Sequence, residues 1–315
     1  MYNRWLFVSL FIVLIQLQKA LSFSAMTPCS RNYTFVPGFF IQDNSSTADA
    51  NESNNELFDA QVPPRFGLID SSDNRWAALQ DQIRKLNRDS PSNERHKLVI
   101  FARHGQGFHN VAETKYGTQA WDDYWSKLDG DGEIVWGPDA ELTPTGEDQA
   151  RAVNVAWKDE LEFDIPLPKK RYSSPMTRAL STYNLTFEGI QLPDHTKPLV
   201  LENAREVYGV HTCDMRRSRT YIRTTFPRFD IEKGFTEEDE LWTPDVRESD
   251  AHVAGRAKSV LDVIFENQDD DSIVSVTAHS GIINGFLTSV GRPSFSLQTG
   301  GVLPMVVKAV ETYSN

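Results

Sequence analysis

Hydrophobic positions along this chain switch between two spacings. RWAALQDQIRKLNRDS carries apolar residues at helical intervals and leads into HKLVIFA, residues 96–102, a short β-rich run that stops at Arg103 and His104. LTPTGEDQARAVNVAWKDELEF returns to the helical spacing, with Thr143 or Thr145 placed to cap its start. RYSSPMTRALSTYNLTFEGI reads as a strand stub, a Ser-Ser-Pro turn and a helix opening near Met176. PLVLENA predicts a third strand, DAHVAGRAKSVLDVIFENQ a long helix, SIVSVTA a fourth strand, GIINGFLTSVG a helix and GGVLPMVVKAV a last strand. Parallel neighbours need crossover connections, so this alternation predicts an α/β fold with a mainly parallel central sheet and helices on both faces. A ligand site in such a fold belongs at the carboxyl ends of the strands. Two stretches break the alternation, 111–141 with Trp121, Tyr124, Trp125 and Trp136, and 207–249; both are expected to cap the functional edge of the sheet.

Composition narrows the compartment and the partners. The 315 residues carry a formal charge of -12, and such a chain lacks the basic face that grips a phosphate backbone, so nucleic acid is not an expected partner. Arg4 precedes an apolar stretch from Trp5 to Leu17, and Ala20 and Ser22 fit the small-residue rule for cleavage. Residues 1–22 are therefore read as a secretory signal peptide, since the stretch is short for a membrane span. A secreted protein with no membrane association after signal cleavage is expected. Sequons stand at Asn32, Asn44, Asn51 and Asn184, the first three in the Ser-, Asn- and Asp-rich stretch 28–56. The domain reading is a signal peptide at 1–22, a glycosylated N-terminal arm with a leading helix at 23–95, and the main domain at 96–315. The two cysteines, Cys29 and Cys213, can pair in an oxidising compartment and tie the arm to the body; the alternative is one buried and one exposed thiol.

Chemistry-bearing residues fall where the strands end. Arg103 and His104 follow the first, Ser174 to Arg178 the second, Arg205 and Glu206 the third, and His279 the fourth. A lone histidine after a strand reads as structural, but the set together does not. Guanidiniums and imidazoles gathered at one rim repel one another unless an anion completes them, and the rigid fork of arginine suits a tetrahedral oxyanion. His104 and His109 lack a third ligand at a helpful spacing, and the arginines disfavour a cation, so no metal centre is expected. TAHSGI does not match G-x-S-x-G, which sets Ser280 aside as a nucleophile. Arg216, Arg217, Arg219 and Arg223 read either as a grip on extra phosphates or as a solvated face paired with the acidic run TEEDE at 236–240.

RHGQGFHN, LTPTGEDQA, SSPMTRALST, AREVYG and TAHSG, in this order over roughly residues 96–310, resemble the histidine phosphatase superfamily in its phosphoglycerate-mutase-like branch. HTCD at 211–214 and the LW-P-RE stretch at 241–248 bring the chain nearest to the fungal phosphomutase-like phosphatases. The acid phosphatase and phytase branch, with R-H-G-x-R-x-P and a late His-Asp, fits less well: Gln106 to Asn110 lack that pattern, and Ser280 follows His279. The resemblance implies that His104 attacks phosphorus and is transiently phosphorylated, while Arg103, Arg178 and His279 surround the transferred phosphoryl oxygens. It further implies that Asn110 adds a neutral donor and that Glu206 protonates the leaving alcohol, then takes a proton from water. No metal and no cofactor enter that scheme. Nearby positive charge is expected to depress the pKa of His104, keeping its attacking nitrogen unprotonated in mildly acidic surroundings. The expected activity is that of a phosphomonoesterase on small phosphorylated substrates. A phosphoglycerate-mutase-like phosphotransferase and a phytase-like enzyme on polyphosphorylated substrates are the alternatives.

Overall fold

A computed structural model describes residues 30–44, 61–193, 196–266 and 273–313. Its strands are β1 (Ser30–Val36), β2 (Glu94–Arg103), β3 (Lys170–Ser173), β4 (Leu199–Val200), β5 (Asp230–Ile231), β6 (Ile273–Ala278) and β7 (Val302–Thr312). They form one seven-stranded sheet in the order β1-β7-β2-β6-β3-β4-β5. β2, β6, β3, β4 and β5 run parallel to their neighbours, and β7 is antiparallel to β2. The mainly parallel α/β sheet expected from the alternation is therefore present.

The helices are α1 (Arg75–Asp89), α2 (Phe108–Tyr116), α3 (Thr118–Asp123), α4 (Pro144–Leu161), α5 (Thr177–Thr186), α6 (Arg219–Thr225), α7 (Asp250–Glu266) and α8 (Ser280–Ser289). Side chains of β2 alternate between two cores. Leu98 and Ile100 pack with Trp76, Ile83, Val153, Trp157 and Leu180, so α1, α4 and α5 cover one face. Val99 and Phe101 pack with Val253, Val260, Ile283 and Phe286, so α7 and α8 cover the other. A strand buried on both faces reads as an unbroken apolar run, which is why 98–101 stood out in the sequence. Burying each such side chain contributes about 1.5–3 kcal/mol.

Residues 32–310 form one compact unit that contains the cores and the site; a second, residues 1–31 with 311–315, contains the Arg31–Glu311 ion pair. The polar stretch read as an extended arm is partly built into the sheet: Asn32 to Val36 belong to β1, with Tyr33 buried and Asn32 and Thr34 exposed. Asn184 is half-buried on α5 and Thr186 of its sequon is buried. No helix among the described residues is long and apolar enough to cross a membrane. The segment read as a signal peptide, Cys29, Asn51 and the side chain of Asn44 lie outside the described residues.

Candidate active site

Strand register brings the two histidines together. β2 pairs with β6 so that Arg103 stands opposite Ala278, and the next residue of each strand is an imidazole. The ring centroids of His104 and His279 are 4.9 Å apart, about one inter-strand spacing. On the far side of β6, Ser173 stands opposite Thr277, which sets Ser174 Oγ 2.7 Å from His279 Nε2. That oxygen also accepts from the Met176 N–H at 3.3 Å, so Ser174 holds the His279 ring through Nε2 and leaves Nδ1 buried without a partner among the described residues.

The loop after His104 is pinned by the start of α4 and the middle of α5. Thr143 proves to be the cap of α4, accepting from the Gly146 N–H at 3.1 Å, and its hydroxyl reaches Gln106 Oε1 at 2.8 Å. The Gly105 N–H donates to Thr182 Oγ1 at 3.0 Å. A Cβ on Gly105 would lie 2.1 Å from the Gly146 carbonyl oxygen, so loop and helix touch through bare backbone. Held this way, His104 Nδ1–H donates to the Gly105 carbonyl at 2.6 Å, leaving Nε2 as the unprotonated nitrogen. Burial pulls the pKa of His104 well below its ordinary value, and Arg178 and Arg103 push the same way. His279 is lowered likewise, first by burial and then by Arg178 and His104.

Arg178, fully buried at the first turn of α5, is held by the segment 207–249: it donates to the Cys213 carbonyl at 2.7 Å and to Asp214 Oδ1 at 2.8 Å. Asp139 lies 4.0 Å away on its other side and accepts from the Thr177 N–H and hydroxyl. Burial would raise Asp214, but Arg247 and Arg178 outweigh it and hold the carboxyl below its usual range. Around His104, two buried guanidinium donors, Arg103 Nε and Arg178 Nε, and one ring nitrogen, His279 Nδ1, have no hydrogen-bond partner among the described residues. Buried donors are ordinarily satisfied, and two guanidiniums beside one imidazole define a place for an oxyanion.

Arg103, His104, Asn110 and Glu206 line one cavity of about 210 Å³ together with Glu113, Trp121, Asp122, His211, Arg247 and Ser280. Arg178 and His279 stand behind its wall. Asn110 Oδ1 accepts from the Gly107 N–H at 2.9 Å, so Nδ2 is the group it can offer a substrate. Glu206 accepts from the Val207 and Gly281 N–H groups, and Arg256 fixes its backbone by donating to the carbonyls of Asn203, Arg205 and Glu206. Both stretches that broke the alternation contribute to the cavity, and Trp121, Trp136 and Cys213 pack them against each other.

Arg205 is not at the rim. It is fully buried and bound to Glu202, Asp239 and the Asp214 carbonyl, because the acids of the 207–249 stretch draw it inward. Arg216 is likewise buried, with Glu202 and the backbone of 236–238 as partners. Asp139, Asp214 and Arg247 were not singled out as site residues in the sequence, and Ser174 was named only as the start of the stretch after the second strand; HTCD and the RE of LW-P-RE were the available signal for Asp214 and Arg247. His211, Cys213 and Asp214 bring possible ligand atoms within 4.8 Å of one another. Both Asp214 oxygens are engaged by guanidiniums and burial pushes the Cys213 thiol up, so this trio is a poor cation holder.

Two imidazoles, two guanidiniums and a carboxylic acid at the carboxyl edge of a parallel sheet describe a phosphoryl-transfer site, and comparison with known proteins gives the family. Residues 99–297 match the model of the histidine phosphatase superfamily, branch 1, and the chain belongs to it. It is 43% identical over 93% of its length, and 88% of the relative's, to the "Probable phosphoglycerate mutase" of Arthroderma benhamiae. It is 39% identical over 83% of its length, and 81% of the relative's, to "Phosphomutase-like protein 3" of Candida albicans. A mycobacterial glucosyl-3-phosphoglycerate phosphatase structure aligns with 67% of this chain and 91% of its own, at 20% identity and a TM-score of 0.41.

Proposed function

We propose that this chain is a phosphomonoesterase that works through a phosphohistidine on His104. The observation that carries it is the tautomer of His104, fixed by its bond to the Gly105 carbonyl, beside two buried guanidinium donors without a partner among the described residues. The Nε2 lone pair attacks phosphorus, the ester P–O bond breaks, and Glu206 in its acid form delivers its proton to the leaving oxygen. Water then attacks the phosphohistidine, Glu206 takes a proton from it, and the P–N electrons return to Nε2. Arg103, Arg178 and His279 oppose the charge carried by the equatorial oxygens throughout. No step calls for a metal ion.

The relatives' names favour a second reading, phosphotransfer between positions of a phosphoglycerate. The phytase-like alternative loses one of its four arginines, since Arg216 is committed to the scaffold, while Arg219 and Arg223 stand exposed. We further propose that the protein is secreted and carries a glycan at Asn32, which stands exposed on β1 with Thr34.

A panel of phosphate esters and 3-phosphoglycerate, assayed with and without chelator, tests the activity. Stoichiometric phosphate release unaffected by chelator is expected, with an acid-labile phosphoryl label on the wild type and none on a folded His104→Ala variant. Isomerisation without phosphate release would install the mutase reading, and an active His104→Ala would remove the mechanism. Expression in a secretory host should give protein in the medium whose mass drops on deglycosylation and in Asn32→Gln; intracellular retention of an unmodified chain would reject secretion.

A further inference from the structure

His109 lines the same cavity as His104, and its ring centroid stands 5.4 Å from that of the nucleophile. The mechanism above does not use it. Its place is made by Gly107: a Cβ there would come within 2.6 Å of His109 Nδ1 and 2.7 Å of Cε1, so a residue without a side chain is what lets the imidazole fold back beside His104. This packing buries Nδ1 with no hydrogen-bond partner among the described residues. Nε2 is not enclosed in the same way, and on a ring that lines the cavity it is the nitrogen left open to it. A buried N–H without an acceptor is harder to tolerate than a lone pair without a donor, so the ring proton belongs on Nε2. Burial, with Arg178, His104 and Arg103 adding to it, lowers the pKa well below the ordinary value, which keeps the ring neutral with one proton to offer.

We propose that His109 is a further catalytic residue, whose Nε2–H donates to an oxygen of the phosphoryl group undergoing transfer at His104. The proposal rests on the phosphomonoesterase reading. A neutral donor suits this position, because it stabilises charge on the transferring oxygens without adding a third cation to repel Arg103 and Arg178.

His109→Phe keeps a flat ring against Gly107 and beside His104 but removes the donor, and His109→Gln returns a donor on an uncharged side chain. Hydrolysis of p-nitrophenyl phosphate and inhibition by orthovanadate are measured for wild type and both variants. Expected is a loss of about 10²-fold in kcat/KM for His109→Phe, recovery by His109→Gln to within about tenfold of wild type, and vanadate inhibition that weakens in parallel with kcat/KM. If His109→Phe matches wild type in both readouts, the ring is a packing partner and the proposal is overturned. It is equally overturned if both variants are folded by circular dichroism and glutamine restores nothing. His109→Leu against His109→Asn supplies the same contrast should the larger side chains not fit. A wild type inert toward every ester would remove the phosphatase reading and this proposal with it, whereas an active wild type with an unaffected His109→Phe sinks this proposal alone.

Discussion

Asp214 gives one carboxylate oxygen to Arg178 at 2.8 Å and the other to Arg247 at 2.9 Å. Removing one member of a buried ion pair leaves the other charge uncompensated, at a cost of about 3–5 kcal/mol. Asp214→Asn is therefore expected to lower the urea midpoint by a comparable free energy and to raise KM for esters by about tenfold or more, as Arg178 loses its fixed direction. An unchanged midpoint and KM would show that the Cys213 carbonyl alone suffices to hold Arg178. Which residues could be read in advance follows from where their partners lie. Arg103, His104 and His279 were legible because each directly follows a strand whose pattern is local. Arg205 was misplaced because its destination is set by Asp239, an acid from a stretch with no regular spacing, and Asp139 was missed because its role appears only once Thr177 and Arg178 are folded against it.

Contact between the loop after His104 and α4 depends on two glycines with no room for side chains. Gly105→Ala would set a methyl group 2.1 Å from the Gly146 carbonyl oxygen, and since both sides are backbone, loop and helix must part. About 1–3 kcal/mol of stability should be lost, with kcat falling by more than about tenfold as His104 shifts. Gly255→Ala serves as the control: nothing lies within 4 Å of a Cβ there, and alanine in the middle of α7 should be neutral or stabilising by up to about 1 kcal/mol. Urea melts and turnover of the two variants check the contrast. A Gly105→Ala enzyme as stable and active as Gly255→Ala would mean that the close approach is not required. At this scale the helices and buried strands were legible, since apolar spacing marks them directly. β1 was hidden in a polar stretch because one of its faces is open to solvent, so Asn32 and Thr34 alternate with Tyr33 and Phe35. β4 was legible in the apolar run PLVLENA although it pairs over two residues only, whereas β5, also of two residues, is too short to show a period.

Titration of the site reaches the stability of the entire protein. An imidazole whose pKa is depressed on folding is protonated first in the unfolded chain, so below the ordinary value of 6.5 the unfolded state binds more protons and stability falls with pH. His104, His109 and His279 all act in this sense. Asp139 acts in the opposite one: burial raises it from 3.8 to about 6, against Arg178, so in that window the folded state holds the proton and gains from acid. Burial lowers His211 and His96 as well and raises Asp43 and Glu232, so among the described residues five imidazoles stand against three carboxyls and leave a net loss as pH drops below about 6.5, at up to about 1.4 kcal/mol per pH unit for each unmatched imidazole. The thermal midpoint should fall steadily from pH 7 to pH 5, and less steeply in His104→Ala; a flat profile would show that these rings are not kept neutral by the fold. The α/β class was readable at this scale because the buried strands β2, β6 and β7 and the helices between them announce themselves locally. What the two capping stretches do was not, because their role consists of contacts with each other and with the sheet edge.

One of those contacts constrains how the family can diversify. Arg178 is anchored by the carbonyl of Cys213 and the carboxylate of Asp214, and the same segment supplies His211 and Arg247 to the wall against which an alcohol would rest. Recognition and turnover thus share one piece of polypeptide. A lineage that remodels this segment to accept a new ester must rebuild both anchors in the same mutational path, so changes of diet in these enzymes are expected to arrive as concerted rewrites of 207–249 rather than as single exchanges at the mouth.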